Sequence, residues 1–148
     1  MAGEPCVGGL LIVGCSRRKI VTSRPVAALD LYQGWCIPLL RERLSPEAPQ
    51  RRRVLILSAH YGLVRADELV STYDRRMTTG RAGALRLPVR RAMAGHLASY
   101  PSREALVLVE ERYLTAMGLP CVPVVHVIAD PVTHFAAARR ILDSWSWP

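Results

Sequence analysis

Four short apolar runs constrain this chain more than anything else in it. They are "GLLIVGC" at 9–15, "RVLILSA" at 53–59, "ALVLVE" at 105–110 and "VPVVHVI" at 122–128. Each is nearly continuous in apolar residues, as in a strand buried on both faces. Pro123 stands at the start of its run, where a missing donor is tolerated. Helix-like stretches fall between the runs and after the last, at about 26–44, 82–99, 111–118 and 130–145. Pro38 inside the first implies a break, or a second helix with proline in its first turn. Gly118 is placed to end the third, and Asp130 to cap the fourth with Pro131 following. Strands alternating with helices predict an α/β fold. We expect a three-layer αβα domain with a mostly parallel central sheet of about four strands. The 148 residues suit a single domain over 1–148, and neither repeat nor linker interrupts them.

No apolar run approaches the ~20 residues that cross a bilayer. The start "MAGEPCVGG" lacks the layout of a secretory signal, so a soluble cytoplasmic protein without membrane attachment is expected. Cys6, Cys15, Cys36 and Cys121 form no Cys-x-x-Cys pair. No zinc site and no cofactor is predicted, and all but Cys15 read as reduced, mostly buried thiols. The net charge of +8 permits attraction to phosphates. The excess of arginine over lysine needs no functional cause, because the composition suits a GC-rich genome.

Of the 20 basic residues only Lys19 is a lysine. It stands four residues after Cys15, just past the first run. An amine can lose its proton near neutral pH where its surroundings favour that, whereas arginine stays charged. A neutral lysine is a nucleophile or a general base. A solvated surface lysine and a charged phosphate ligand are the alternatives. In parallel sheets, ligands bind beyond the carboxyl ends of the strands. That rule selects Cys15, Ser16 and Lys19, then Ser58, His60 and Tyr61, then Glu110 and Glu111, then Asp130. Cys15 is a second candidate nucleophile or simply the last core residue of its strand.

The stretch "LSAHYGLVRADELVSTYDRRM" at 57–77 reads as a strand end, a Tyr-Gly turn and an acid-bearing polar loop. Gly62 allows the turn and leaves room for a ligand beside the backbone. Tyr32, Trp35, Tyr61 and Tyr73 are candidate platforms for a flat heterocycle. Asp74 is placed to exchange a proton, orient an amine or stabilise an oxocarbenium ion. The chain has no Asn, so base-edge recognition falls to backbone, Ser, Asp, Arg or Gln33. Asp130 and His134 have a metal-compatible spacing, but two groups do not make a site. His126 reads as a satisfied core or interface histidine, and His96 as a surface helix residue. The tail "SWSWP" either closes over the core or packs on a partner chain, which keeps a homodimer open.

The 57–77 stretch resembles the YaaA family of bacterial peroxide-stress proteins. Leu57, Ser58, Tyr61, Gly62, Arg65, Leu69, Tyr73 and Met77 meet its pattern without gaps, and Ser16 and Lys19 align with its S-P-A-K. Ala66, Thr72, Asp74 and Arg76 depart from it. The chain is also similar to short bacterial proteins of unknown function with C-S-x-x-K, D-L-Y-x-G, L-S-A-x-x-G-L and Y-D. Here these are Cys15, Ser16 and Lys19, then "DLYQG" at 30–34, then "LSAHYGL", then Tyr73 and Asp74. The first motif looks like the lysine motif of archaeosine synthase, whose lysine is understood to attack a nitrile. The wider group is similar in fold to uracil-DNA glycosylases. The resemblance implies an enzyme on a nucleobase, nucleoside or nucleotide, using Lys19, Asp74 and Cys15 for chemistry. Ser16, Tyr32, Ser58, His60, Tyr61, Gly62 and Tyr73 would bind substrate. A nucleic-acid-binding stress protein and a non-catalytic phosphate binder are the other readings.

Overall fold

The computed structural model describes residues 9–148, the side chains of 115 and 116 excepted. The reading of Cys6 lies outside the described residues. The elements in chain order are β1 (Leu10–Gly14), β2 (Val26–Ala27), α1 (Ala28–Leu31), α2 (Ile37–Arg43), β3 (Val54–Ser58), β4 (Gly62–Arg65), β5 (Leu69–Val70), α3 (Thr79–Ser99), β6 (Glu104–Leu108), α4 (Glu111–Met117), β7 (Val124–Val127) and α5 (Phe135–Ser144).

The main sheet has five strands in the order β4-β3-β1-β6-β7, and only β4 runs antiparallel. The four apolar runs are its four parallel strands. The fifth strand lies within the segment read as turn and loop: Gly62, at φ +80°, turns the chain so that Leu57 faces Leu63 across a tight hairpin. β1 is central, with Val13 opposite both Ile56 and Leu108.

Alternate β1 side chains point to opposite faces, and both faces are covered. Leu11 and Val13 pack with Leu29 and Leu31 of α1, Ile37 and Leu40 of α2, and Ala138 and Leu142 of α5. Leu10 and Ile12 pack with Ala82, Leu85, Val89 and Met93 of α3 and Met117 of α4. The α/β fold and its mostly parallel sheet are therefore as expected.

Local chemistry sets the helix ends. Pro38 lies in the first turn of α2, so the long helical stretch divides before it. Thr78 caps α3 by accepting from the Arg81 backbone N–H at 3.1 Å. The capping threonine starts α3 ahead of the expected boundary. Gly118 ends α4 at φ +68°. α5 begins at Phe135, after a turn in which Asp130 Oδ1 accepts from the Thr133 N–H at 3.1 Å. Asp130 thus caps the turn before the helix, and this bond lowers its pKa.

Several residues depart from expectation. Cys121 is exposed, because it lies in the turn between α4 and β7 and not within an element. Cys36 is buried, which pushes its thiol up to about 12. His126 Nε2 donates to Glu104 Oε2 at 3.1 Å, as a satisfied histidine should, and Trp145 Nε1 donates to the same carboxylate at 2.6 Å. Trp145 and Trp147 are buried in the core, so the tail closes over it. No helix among the described residues is long and apolar enough to cross a membrane.

His96 is not a surface residue. It completes the buried stripe Ala82, Leu85, Val89, Met93, His96 along α3, at three- and four-residue spacing. Its Nε2 is buried without a hydrogen-bond partner. Burial first, then Arg53 and Arg65, lowers its pKa from the ordinary 6.5. The unfolded chain then takes up a proton that the fold resists, so stability falls as pH drops through and below the ordinary histidine value. Urea titrations from about pH 7.5 to about pH 5.5 should show this decline, and His96→Phe should make it smaller. An unchanged decline in the variant would assign the effect to other groups.

Candidate functional site

The fold opens a crevice at the carboxyl edge of the sheet. After β1 the chain leaves toward α1 and α2 on one face, and after β6 toward α4 on the other. Neighbouring strands whose connections diverge in this way leave a gap between their ends. A cavity of about 580 Å³ lies there. Residues 15–19 after β1, Gly34 and Trp35, residues 74–77, and Glu110, Arg112 and Tyr113 after β6 line it.

Two polar devices bring the first and second loops together. Thr72 Oγ1 donates to the Ile20 carbonyl at 2.7 Å and accepts from the Thr22 N–H at 3.2 Å. Beyond it, β2 and β5 pair antiparallel, with Val26 opposite Val70. Lys19 is thereby carried to Tyr73, its Nζ 4.4 Å from the ring centroid. An ammonium over an aromatic face is attracted by the ring quadrupole. Lys19 Nζ also donates to the Arg17 carbonyl at 3.2 Å.

Tyr73 is fixed from behind by a knot of hydroxyls. Ser58 Oγ donates to Tyr73 Oη at 2.8 Å and accepts from the His60 and Tyr61 N–H groups at 3.1 and 3.0 Å. Tyr73 Oη is also 2.8 Å from Tyr32 Oη. Burial first, then Cys15, holds both phenols well above the ordinary tyrosine value, so both stay protonated. His60 stacks on Tyr73 at 5.0 Å, and Tyr61 Oη is held by both backbone groups of Ser71 at 3.0 Å.

The ten sequence-predicted residues therefore divide. Cys15, Ser16, Lys19 and Asp74 line the crevice. Ser16 does so with its hydroxyl occupied, donating to the Arg18 carbonyl at 2.7 Å and accepting from the Gly34 N–H at 3.1 Å. Tyr32, Ser58, His60, Tyr61, Gly62 and Tyr73 do not line it. Tyr32 and Ser58 are fully buried, bonded to Tyr73. A Cβ at Gly62 would meet Leu85 and Val89 of α3 at 3.6 and 3.9 Å, so that side of the glycine faces the core. Gln33 is also spent, bonding the Asp30 carbonyl at 2.9 Å and Arg41 at 3.2 Å. Asp130 and His134 lie outside the crevice.

Other residues complete it. Trp35 lies at φ 61°, a strained position for a non-glycine, and its Nε1 donates to the Leu108 carbonyl at 3.3 Å. Its indole is thus tied to the end of β6. Tyr113 reaches the Cys15 thiol, and burial, followed by Cys15 and Glu110, pushes its hydroxyl up to about 12. Glu110 follows from the strand-end rule. Arg112 and Tyr113 belong to the next helical turn, which that rule does not reach.

Residues 10–142 match a family described as "Family of unknown function (DUF6884)". The chain belongs to this family. No curated protein and no solved structure matches it significantly.

Ser58→Ala should destabilise the fold by about 1–3 kcal/mol, because two N–H groups and a buried phenol lose their partner. Asp74→Asn, at an exposed position, should stay within about 0.5 kcal/mol of the parent. Urea unfolding of both variants checks this, and comparable losses would contradict the division into knot and crevice.

Proposed function

We propose that this protein is a small enzyme acting on a nucleobase, nucleoside or nucleotide, with Lys19 as nucleophile or general base. The observation that carries the reading is the convergence of Lys19 and Asp74, from separate loops, on one crevice walled by Trp35 and Tyr113. An amine, a carboxylate and two aromatic rings are the groups that a flat, electrophilic heterocycle requires. Among the described residues no carboxylate pairs with Lys19, so its nitrogen is not committed to a salt bridge.

Two reactions fit. In N-glycosidic cleavage or transfer, the Lys19 amine attacks the anomeric carbon. The bond to the base breaks, its electron pair stays on the base nitrogen, and the proton the amine sheds passes through the Asp74 carboxylate to that nitrogen. In attack on a nitrile, the new C–N bond forms as a π pair moves to the nitrile nitrogen, which takes up a proton. The likeness of C-S-x-x-K to the lysine motif of archaeosine synthase favours this chemistry for Lys19. Cys15 stands beside it as a second nucleophile.

A second reading is a nucleic-acid-binding, peroxide-stress-type protein, favoured by the exposed arginines at the crevice and the YaaA-like stretch. Its affinity would fall steeply with salt as counterions are released.

Lys19→Arg keeps the charge and removes the nucleophile. After incubation with cell extract and borohydride quenching, mass spectrometry should find an added mass on Lys19 in the parent. The variant should show no adduct and no turnover of the compound so identified. Full turnover in Lys19→Arg would end the covalent and basic roles together.

A further inference from the structure

We infer that the crevice takes its substrate as a phosphate monoester, a nucleoside 5′-monophosphate, and that Arg17, Arg18, Arg75 and Arg76 grip the phosphate. This rests on the reading of the site as a nucleobase-type centre and names the form in which the base arrives.

Six cations line the crevice against two carboxylates. Two of the six are engaged. Arg112 Nε lies 3.2 Å from Glu110 Oε2, and Lys19 lies over Tyr73. The other four are exposed and make no side-chain hydrogen bond or ion pair among the described residues. They come from separate segments, one pair just after β1 and one just before α3, and the fold brings the two pairs to one cavity. Like charges gathered in one crevice repel, and an anion between them relieves the repulsion. Guanidinium forks match phosphate oxygens in a bidentate manner that an ammonium cannot.

The arrangement also orients the ligand. Trp35 and Tyr113 are half-buried while the four arginines are exposed. The flat ring therefore goes inward, toward the rings and Lys19, and the phosphate stays at the rim. A cavity of about 580 Å³ is of the size that holds a small-molecule ligand and encloses most of its surface. A nucleic-acid strand would have to leave through the rim and find contacts beyond it, whereas a mononucleotide has all its groups matched within.

Calorimetric titration of the full chain tests this with four probes: the ribonucleoside 5′-monophosphates, the matching nucleosides, inorganic phosphate and a short single-stranded oligonucleotide. At least one monophosphate should bind about tenfold or more tighter than its nucleoside. The double variant Arg75→Ala/Arg76→Ala should lose that advantage while nucleoside binding is unchanged. Thermal unfolding should show that the variant folds, since both side chains are exposed. Lys19→Arg should still bind the monophosphate. Equal binding of monophosphate and nucleoside, an unaffected arginine variant, binding of the oligonucleotide alone, or no binding of any probe would each overturn the inference. Failure here is separable from failure of the lysine chemistry. Binding without a trapped adduct sinks only the chemistry, and an adduct without phosphate preference sinks only the arginine grip.

Discussion

The whole molecule is arranged around a strand that water never reaches. Every residue of β1 is buried, and parallel neighbours flank it on both sides. Its backbone groups have nowhere to bond except β3 and β6, and an unpaired group there would cost as much as a lost hydrogen bond. That requirement fixes the centre of the sheet. It also explains Gly9, where any Cβ would strike the Glu104 carbonyl and the ring of Trp145. The C-terminal tail thus closes over one end of β1, and the chain leaves the strand at the other. The crevice is a consequence of that exit, because the connections after β1 and β6 leave toward opposite helical layers.

Burial alone does not bring Lys19 to Tyr73. The strand ends deliver two loops to the same edge, but loops of this length have many conformations, and ordering each residue costs about 1–2 kcal/mol. Thr72 and the β2–β5 pairing supply the missing restraint by tying the loops side by side. The knot of Ser58, Tyr73 and Tyr32 then locks the ring itself. Such a network is stable only when every member is satisfied, and Ser58 meets this by donating once and accepting twice.

The strands were legible because burial on both faces demands continuous apolar runs, and helices because caps and prolines announce their ends. β4 was not legible. "GLVR" is too short for a period to show, and it forms because Gly62 folds it back onto β3. His96 misled for the opposite reason, since a polar residue on a helix reads as exposed unless the apolar stripe is extended to include it. At the site, the strand-end rule found Cys15, Ser16, Lys19 and Glu110. Asp74, inside a long polar loop, came from its place beside Tyr73 in the Y-D motif. The same rule selected Ser58, whose hydroxyl turns inward to the knot, because position along the chain says nothing of which way a hydroxyl points. Trp35 was named as a candidate platform, but the arginine pairs draw their meaning from tertiary placement that no spacing encodes.

Saturation of hydrogen bonds is what separates scaffold from site here. Tyr32, Ser58, Ser16 and Gln33 carry the same chemical groups as a binding pocket would need, but each is already hydrogen-bonded within the chain. Groups engaged in this way have less to give a ligand, since a new bond to the same atom competes with an old one. The crevice holds the reverse. Arg17, Arg18, Arg75 and Arg76 and the carboxylate of Asp74 have no ion pair among the described residues, and its lysine is held mainly by a ring face and a single carbonyl. A fold that satisfies polar groups so thoroughly a few ångströms away had the means to satisfy these. That it places cations from two segments around one opening, with aromatic rings beneath them, is the physical basis of the proposal that the opening takes an anionic, ring-bearing guest.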